Sequence, residues 1–202
     1  MFDFISSWIE AGGAIAVAAL MLLENVFPPI PSELVMPMAG YLAATGSLGV
    51  VAIFLGGVAG SVAGAWLWYW AAIRLGRVRL LDWIGAHGHW LTLTRADVEG
   101  ALRWFHRHRD WGVFLGRMVP GVRTLISVPA GLDGMGLGRF LALTTAGSAV
   151  WVALLTGAGY VLEAQYERVQ GWLNPVTNVI LGGLVLWYLW RVFAIWRGKK
   201  DV

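Results

Sequence analysis

Three stretches of this chain, at roughly 48–73, 138–160 and 172–195, each run for more than 20 residues with almost no charge. A helix of that length matches the ~30 Å hydrocarbon core of a bilayer. A spanning segment must also satisfy its backbone hydrogen bonds internally, so a run of this kind reads as a transmembrane helix. Composition agrees. Charged residues make up 13% of the 202 and hydrophobic ones 58%, where soluble domains carry about 25% charged residues. Tryptophans recur near the ends of the runs (Trp66, Trp68, Trp70, Trp172, Trp187, Trp190, Trp196), as in interfacial belts. The start, Met1-Phe2-Asp3-Phe4, lacks the basic opening of a signal peptide, so the first segment is expected to stay in the mature protein. The absence of cysteine excludes disulfides and thiolate metal sites.

Charge placement predicts an orientation. Seven arginines lie between Arg74 and Arg109, and Arg191, Arg197, Lys199 and Lys200 lie near the C-terminus. The segment between the last two apolar runs holds Glu163, Glu167 and a lone Arg168. The positive-inside rule therefore puts the 74–110 linker and the C-terminus in the cytoplasm. The 48–73 helix then runs inward, 138–160 outward and 172–195 inward.

Two further stretches break the apolar pattern with prolines and ionisable groups. One runs from Glu24 through Pro28, Pro29 and Pro31 to Glu33 and on to Ala39-Gly40; the other runs from Arg117 through Pro120-Gly121 and Arg123 to Ala130-Gly131. In the predicted topology each must enter the membrane and return on its own side. The arms 12–24 and 34–44 are too short to span at 1.5 Å per residue. Proline removes a backbone donor and disfavours helix at the residue before it, which places a break at each tip. Both stretches are predicted to be re-entrant helical hairpins, a form tolerated where the open backbone is buried in protein or lines a wet cavity.

The two stretches also resemble one another. A shift of 91 positions carries Pro29 onto Pro120, Leu34 onto Leu125 and Ala39-Gly40 onto Ala130-Gly131. A shift of 87 carries Ala59-Gly60-Ser61 onto Ala146-Gly147-Ser148. The predicted fold is an all-α integral membrane protein: two inverted repeats, each a re-entrant hairpin plus a transmembrane helix, and a final C-terminal transmembrane helix. As one membrane domain over 1–202 it divides into a first repeat (1–73), a basic amphipathic linker (74–110), a second repeat (111–162) and the last helix (172–196). Secondary transporters use inverted repeats with broken helices meeting near the midplane.

The acids and proline tip from Glu24-Asn25 to Glu33, with Phe114-Leu115-Gly116-Arg117-Met118-Val119-Pro120-Gly121-Val122-Arg123-Thr124 and Ala130-Gly131, resemble the DedA family of bacterial membrane proteins. These are also described as SNARE-associated or VTT-domain proteins. The resemblance covers roughly Glu24 to Tyr160, and its Gly-Arg-x-x-Pro-Gly-x-Arg-Thr motif is quite specific. It implies a multi-pass protein of the bacterial inner membrane, linked to proton-motive force and envelope integrity. Several members are implicated in moving undecaprenyl phosphate, the polyprenyl carrier of cell-wall synthesis, across that membrane. The residues implied in function are Glu24, Glu33, Arg117 and Arg123. The nine-residue spacing of the two acids is shorter than in some members.

The chemistry of those residues points the same way. An arginine at mid-membrane costs roughly 2.5–3.5 kcal/mol on insertion scales, so two on one hairpin need anionic partners. Guanidinium presents a planar fork of donors suited to carboxylate or phosphate oxygens. A phosphate monoester carries about 1.5–2 negative charges at neutral pH, a good match for two arginines. The glutamates would pair with the arginines in the empty site and take up protons when the lipid displaces them. The expected reading is a transporter or flippase of polyprenyl phosphate, coupled to protons, with Arg117 and Arg123 holding phosphate. Glu24 and Glu33 would carry protons, and Pro28, Pro29, Pro31, Pro120 and Gly121 would form the tips. The competing readings are a proton-coupled exporter of small solutes or cations, a phospholipid scramblase, and a purely structural ion-pair cluster.

The remaining features have plainer readings. Gly56, Gly60 and Gly64 form a GxxxGxxxG face suited to close helix packing. Residues 95–109, with Thr94 as N-cap and Trp104 and Phe105 as apolar anchors, read as a basic amphipathic surface helix. Met1–Glu10 reads as its counterpart outside. Asp133 is expected to cap a hairpin end beside Arg139. The histidines 106 and 108 do not share a helix face, which disfavours a metal site. No cofactor, nucleic-acid partner, catalytic triad or P-loop is indicated, so an enzyme is not expected. The sequence admits a homo-oligomer.

Overall fold

The computed structural model describes residues 2–26, 32–82 and 95–161. The tip prolines Pro28, Pro29 and Pro31, the cap Thr94, the acidic segment 163–170 and the last apolar run 172–195 lie outside the described residues. Every regular element among the described residues is helical: α1 (Phe2–Val26), α2 (Ser32–Ala44), α3 (Val50–Leu75), α4 (Arg95–Arg107), α5 (Arg109–Gly116), α6 (Val122–Leu125), α7 (Ser127–Leu132) and α8 (Leu137–Val161). Three stretches are long and apolar enough to cross a membrane: Ile5–Val26, Val50–Leu75 and Leu137–Val161. The last two match the expected runs within a few residues.

The first stretch divides close to where it was expected to. Helix runs over Phe2–Val26 but breaks at Gly13, where φ is 56° and ψ −136°, between the expected Met1–Glu10 helix and the arm from Gly12. A side chain rarely adopts that backbone, so glycine sets the position of the break. Residues 14–26 beyond it form the arm that leads to Glu24. The piece before it is fastened to the bundle: Ile5 and Ile9 are buried in the same core cluster as Leu42 and Ala43 of α2.

Small residues decide the packing. The Gly56, Gly60 and Gly64 face of α3 does lie against α1, with Gly56 at the Ala14 carbonyl, Gly60 at the Ala18 carbonyl and Gly64 at the Asn25 side chain. A Cβ at Gly56 or Gly60 would collide with backbone, which does not yield as a side-chain end can. Gly40 brings α2 onto the backbone of Thr156 in α8, and Gly131 brings α7 onto the backbone of Tyr69 in α3. α2 and α7 thus each pack on a long helix from the other half of the chain.

The chain from α5 to α7 leaves and returns at one end of the bundle. Asp133, just after α7, accepts hydrogen bonds from Arg109 at the start of α5 and from His106 Nδ1, the latter at 2.7 Å. Asp133 therefore ties the end of α7 to α4 and to the start of α5, whereas Arg139, expected beside it, bonds to Asp110. The Tyr69 hydroxyl donates to the Met135 carbonyl, and its ring stacks on Phe140 at 4.4 Å, fixing the same end against α3. The amphipathic helix α4 forms as expected, although of its two apolar anchors only Phe105 is buried; Trp104 faces outward.

Candidate functional site

Three of the four ionisable residues singled out in the sequence meet inside the bundle. Glu24 sits in the last turn of α1. Arg117 directly follows α5 and Arg123 lies in the single turn of α6. Between the arginines the backbone opens at Pro120-Gly121, where Gly121 has φ +78°, again a conformation that favours glycine. The reversal turns both arginine side chains into the bundle: Arg117 is 2% exposed, Arg123 6% and Glu24 5%.

Arg123 forms an ion pair with one carboxylate oxygen of Glu24, whose Oε2 has no hydrogen-bond partner among the described residues. Arg117 has no carboxylate partner among them. It donates from one terminal nitrogen to Ser127 Oγ at 2.8 Å, and its buried Nε is unpaired. Among the described residues the site therefore holds one matched charge and one cation whose side-chain partner is a hydroxyl. An isolated charge in such surroundings is costly, and an anion would relieve it. Glu33 is placed differently. It lies in the first turn of α2, half-buried and without an ion pair to any described residue.

A cavity of about 10 Å³ separates these groups, lined by Asn25, Ser61, Arg117, Arg123, Ser148 and Trp151. That is the size of one water-sized sphere. Asn25 donates to the Met21 carbonyl while its side-chain oxygen is unpaired, and its own carbonyl accepts from Trp68 Nε1 at 2.6 Å. Trp151 Nε1 reaches Ser32 Oγ at 3.4 Å. Ser61 and Ser148 stand near the middle of α3 and α8. Reasoning from sequence missed Asn25, Ser61, Ser127, Ser148 and Trp151 as site residues. A signal was available for two of them: Ser61 and Ser148 close the duplicated Ala-Gly-Ser triplets, read there only as a mark of repetition.

With this geometry in place, similarity to known proteins is informative. The VTT domain matches residues 30–161 of this chain. The chain belongs to the VTT-domain, or DedA, family. Among curated relatives, this VTT-domain protein is 34% identical to the "Alkaline phosphatase-like protein" of Lactococcus lactis subsp. cremoris, over 90% of this chain and 85% of that one. It is 28% identical to "Undecaprenyl phosphate transporter A" of Staphylococcus aureus, over 99% and 98% of the two chains. It is 32% identical to "Inner membrane protein YqjA" of Escherichia coli, over 71% and 64%. No solved structure matches it. Apolar helices and membrane-protein relatives together make it a multi-pass membrane protein.

Proposed function

We propose that this VTT-domain protein transports a polyprenyl phosphate of the undecaprenyl phosphate class across the bacterial inner membrane, with Arg117 and Arg123 receiving the phosphate. The observation that carries the reading is the buried Arg117, which has a hydroxyl and a bare Nε where an ion pair would be expected. The Staphylococcus aureus relative, matched almost end to end, bears a name that supplies the same ligand. The chemistry needed is binding and release rather than bond breaking.

Glu24 holds Arg123 while the site is empty. An arriving phosphate would compete for Arg123, and protonation of the displaced carboxyl would avoid leaving an unpaired anion in an apolar bundle. Proton movement would then be linked to phosphate binding through Glu24. Glu33, half-buried in the first turn of α2 and not part of the cavity lining, would serve as a second proton carrier nearer the tip.

The inverted-repeat reading is supported by two reciprocal packings. Gly40 meets Thr156 and Gly131 meets Tyr69. The glycines differ by 91 positions and their partners by 87, the same two shifts found in the sequence. The meeting of His106 and Arg109 with Asp133 supports a hairpin that returns to its own side. With the positive-inside rule, that side is the cytoplasm.

Reconstituted vesicles loaded with undecaprenyl phosphate test the proposal. Arg117→Ala and Arg123→Ala should abolish its movement while the proteins still insert, and Arg117→Lys should impair it because a lysine lacks the fork. Transport at the wild-type rate in both alanine variants would leave Glu24, Arg117 and Arg123 a structural cluster and return the scramblase reading.

A further inference from the structure

The central cavity is too small for a phosphate group in this conformation, but a second cavity is not. It lies between α4, the end of α7 and the segment that follows α3, has a volume of about 330 Å³, and is lined by Arg77, Arg103, His106, Arg107 and Asp133 together with Leu102 and Leu132. Small-molecule sites begin near this size, at about 300 Å³. Its charge is unbalanced. Asp133 is engaged by Arg109 and His106. Arg103 is 3.7 Å from Glu99, an exposed pair of little strength. No ion pair joins Arg77 or Arg107 to a described residue, so among the described residues neither cation is neutralised.

We infer that this basic pocket is a second anion site, which captures a phosphoryl headgroup outside the closed central cavity. Arg77 and Arg107 would grip the phosphate oxygens, and the two leucines would meet the first apolar carbons of a prenyl chain. The pocket stands at the foot of the arm that carries Arg123. Nine residues separate Arg123 from Leu132, at most about 14 Å of helix rise. A headgroup held there would be one short transfer from the buried arginines. The existence of the pocket does not depend on the central site; only its role as a waiting position rests on the proposed function.

The test uses the full chain in nanodiscs of zwitterionic lipid, titrated with farnesyl phosphate and, separately, with inorganic phosphate. Saturable binding of farnesyl phosphate is expected. Arg77→Gln with Arg107→Gln should weaken it by about tenfold or more, the equivalent of one lost charge-assisted hydrogen bond. Arg79→Gln, a charge change outside the pocket, should not. Both substitutions fall on exposed residues, so the variants should fold. Binding of both probes would assign recognition to the phosphate group, and binding of farnesyl phosphate alone would assign it to a lipid headgroup with its chain. Equal weakening by Arg79→Gln would reduce the effect to general surface charge and overturn the inference, as would unchanged affinity in the double variant. Arg123→Gln separates the two proposals: it should stop transport, while the share of binding that Arg77→Gln with Arg107→Gln removes should persist in it. Loss of that share in Arg123→Gln would overturn the pocket and leave the central site standing; normal transport in Arg123→Gln would do the reverse.

Discussion

Glu24 and Arg123 are each under a tenth exposed and are bound to one another. Removing one member of such a pair leaves the other charged and buried, at a cost of about 3–5 kcal/mol. Arg123→Ala should therefore lower thermal stability in detergent far more than the double change Glu24→Gln with Arg123→Gln, which removes both charges. A double variant no more stable than Arg123→Ala would contradict the pairing. Asp133 behaves differently because it sits at the bundle end. Burial pushes its carboxyl pKa up, but hydrogen bonds from Arg109 and His106 outweigh that and hold it below the usual value. A depressed folded-state pKa means stability that is present above the unfolded value near 3.9 and lost as pH falls through the folded value. Asp133→Asn should then reduce melting temperature at pH 7, and the gap from wild type should close on acidification below about pH 4. A gap independent of pH would mean that the carboxylate charge contributes nothing.

Helix contacts here depend on the absence of side chains. Gly60 lets α3 rest on the Ala18 carbonyl of α1, so the helix carrying Glu24 and the helix carrying Ser61 approach at backbone distance. Gly60→Leu would overpack this seam, costing about 1–3 kcal/mol where the helices can shift and more where they cannot. The measurable result is a drop in melting temperature together with loss of transport. A variant with both intact would mean that the seam tolerates separation. At the second tip, Gly121 with φ +78° has open space around its Cβ position, so any effect there comes from the backbone alone. Gly121→Val should cost about 1–3 kcal/mol through strain rather than collision. Gly121→Ala should also lose stability, though less because it is not β-branched, and an alanine variant as stable as wild type would refute that cause.

Across the whole molecule, the turn at 45–49 and the turn at 133–136 stand at opposite ends of α3 and α8. The absence of cysteine makes the arrangement easy to probe. Ser47→Cys and Gly136→Cys should react with an impermeant thiol reagent from opposite faces of the membrane, with Gly136→Cys on the cytoplasmic face. Labelling of both from one face would refute the topology. Much of this architecture was legible in the chain. The apolar runs marked α3 and α8, the proline and glycine tip marked the reversal between Arg117 and Arg123, and the GxxxGxxxG face marked the α1 seam. The division near Gly12-Gly13 was legible too, but not that Ile5 and Ile9 before it would dock against α2, because that depends on how the helices pack. The partners of Asp133 were not legible either, since Arg139 is close in sequence while Arg109 comes close only when the hairpin closes.

The sequence by itself determined that this chain lives in a membrane and that its second broken segment carries two arginines. Hydrophobicity, proline and charge act locally, and their consequences can be read residue by residue. Only the tertiary structure decided which charges meet. It pairs Glu24 with Arg123, leaves Arg117 to a serine, and keeps Glu33 apart, because long-range pairing follows from how helices dock. It also gathers Ser61 and Ser148 at one cavity and Arg77 and Arg107 at another. Those residues are 87 and 30 positions apart; the repeated triplet relates Ser61 to Ser148 without saying that they meet, and nothing relates Arg77 to Arg107.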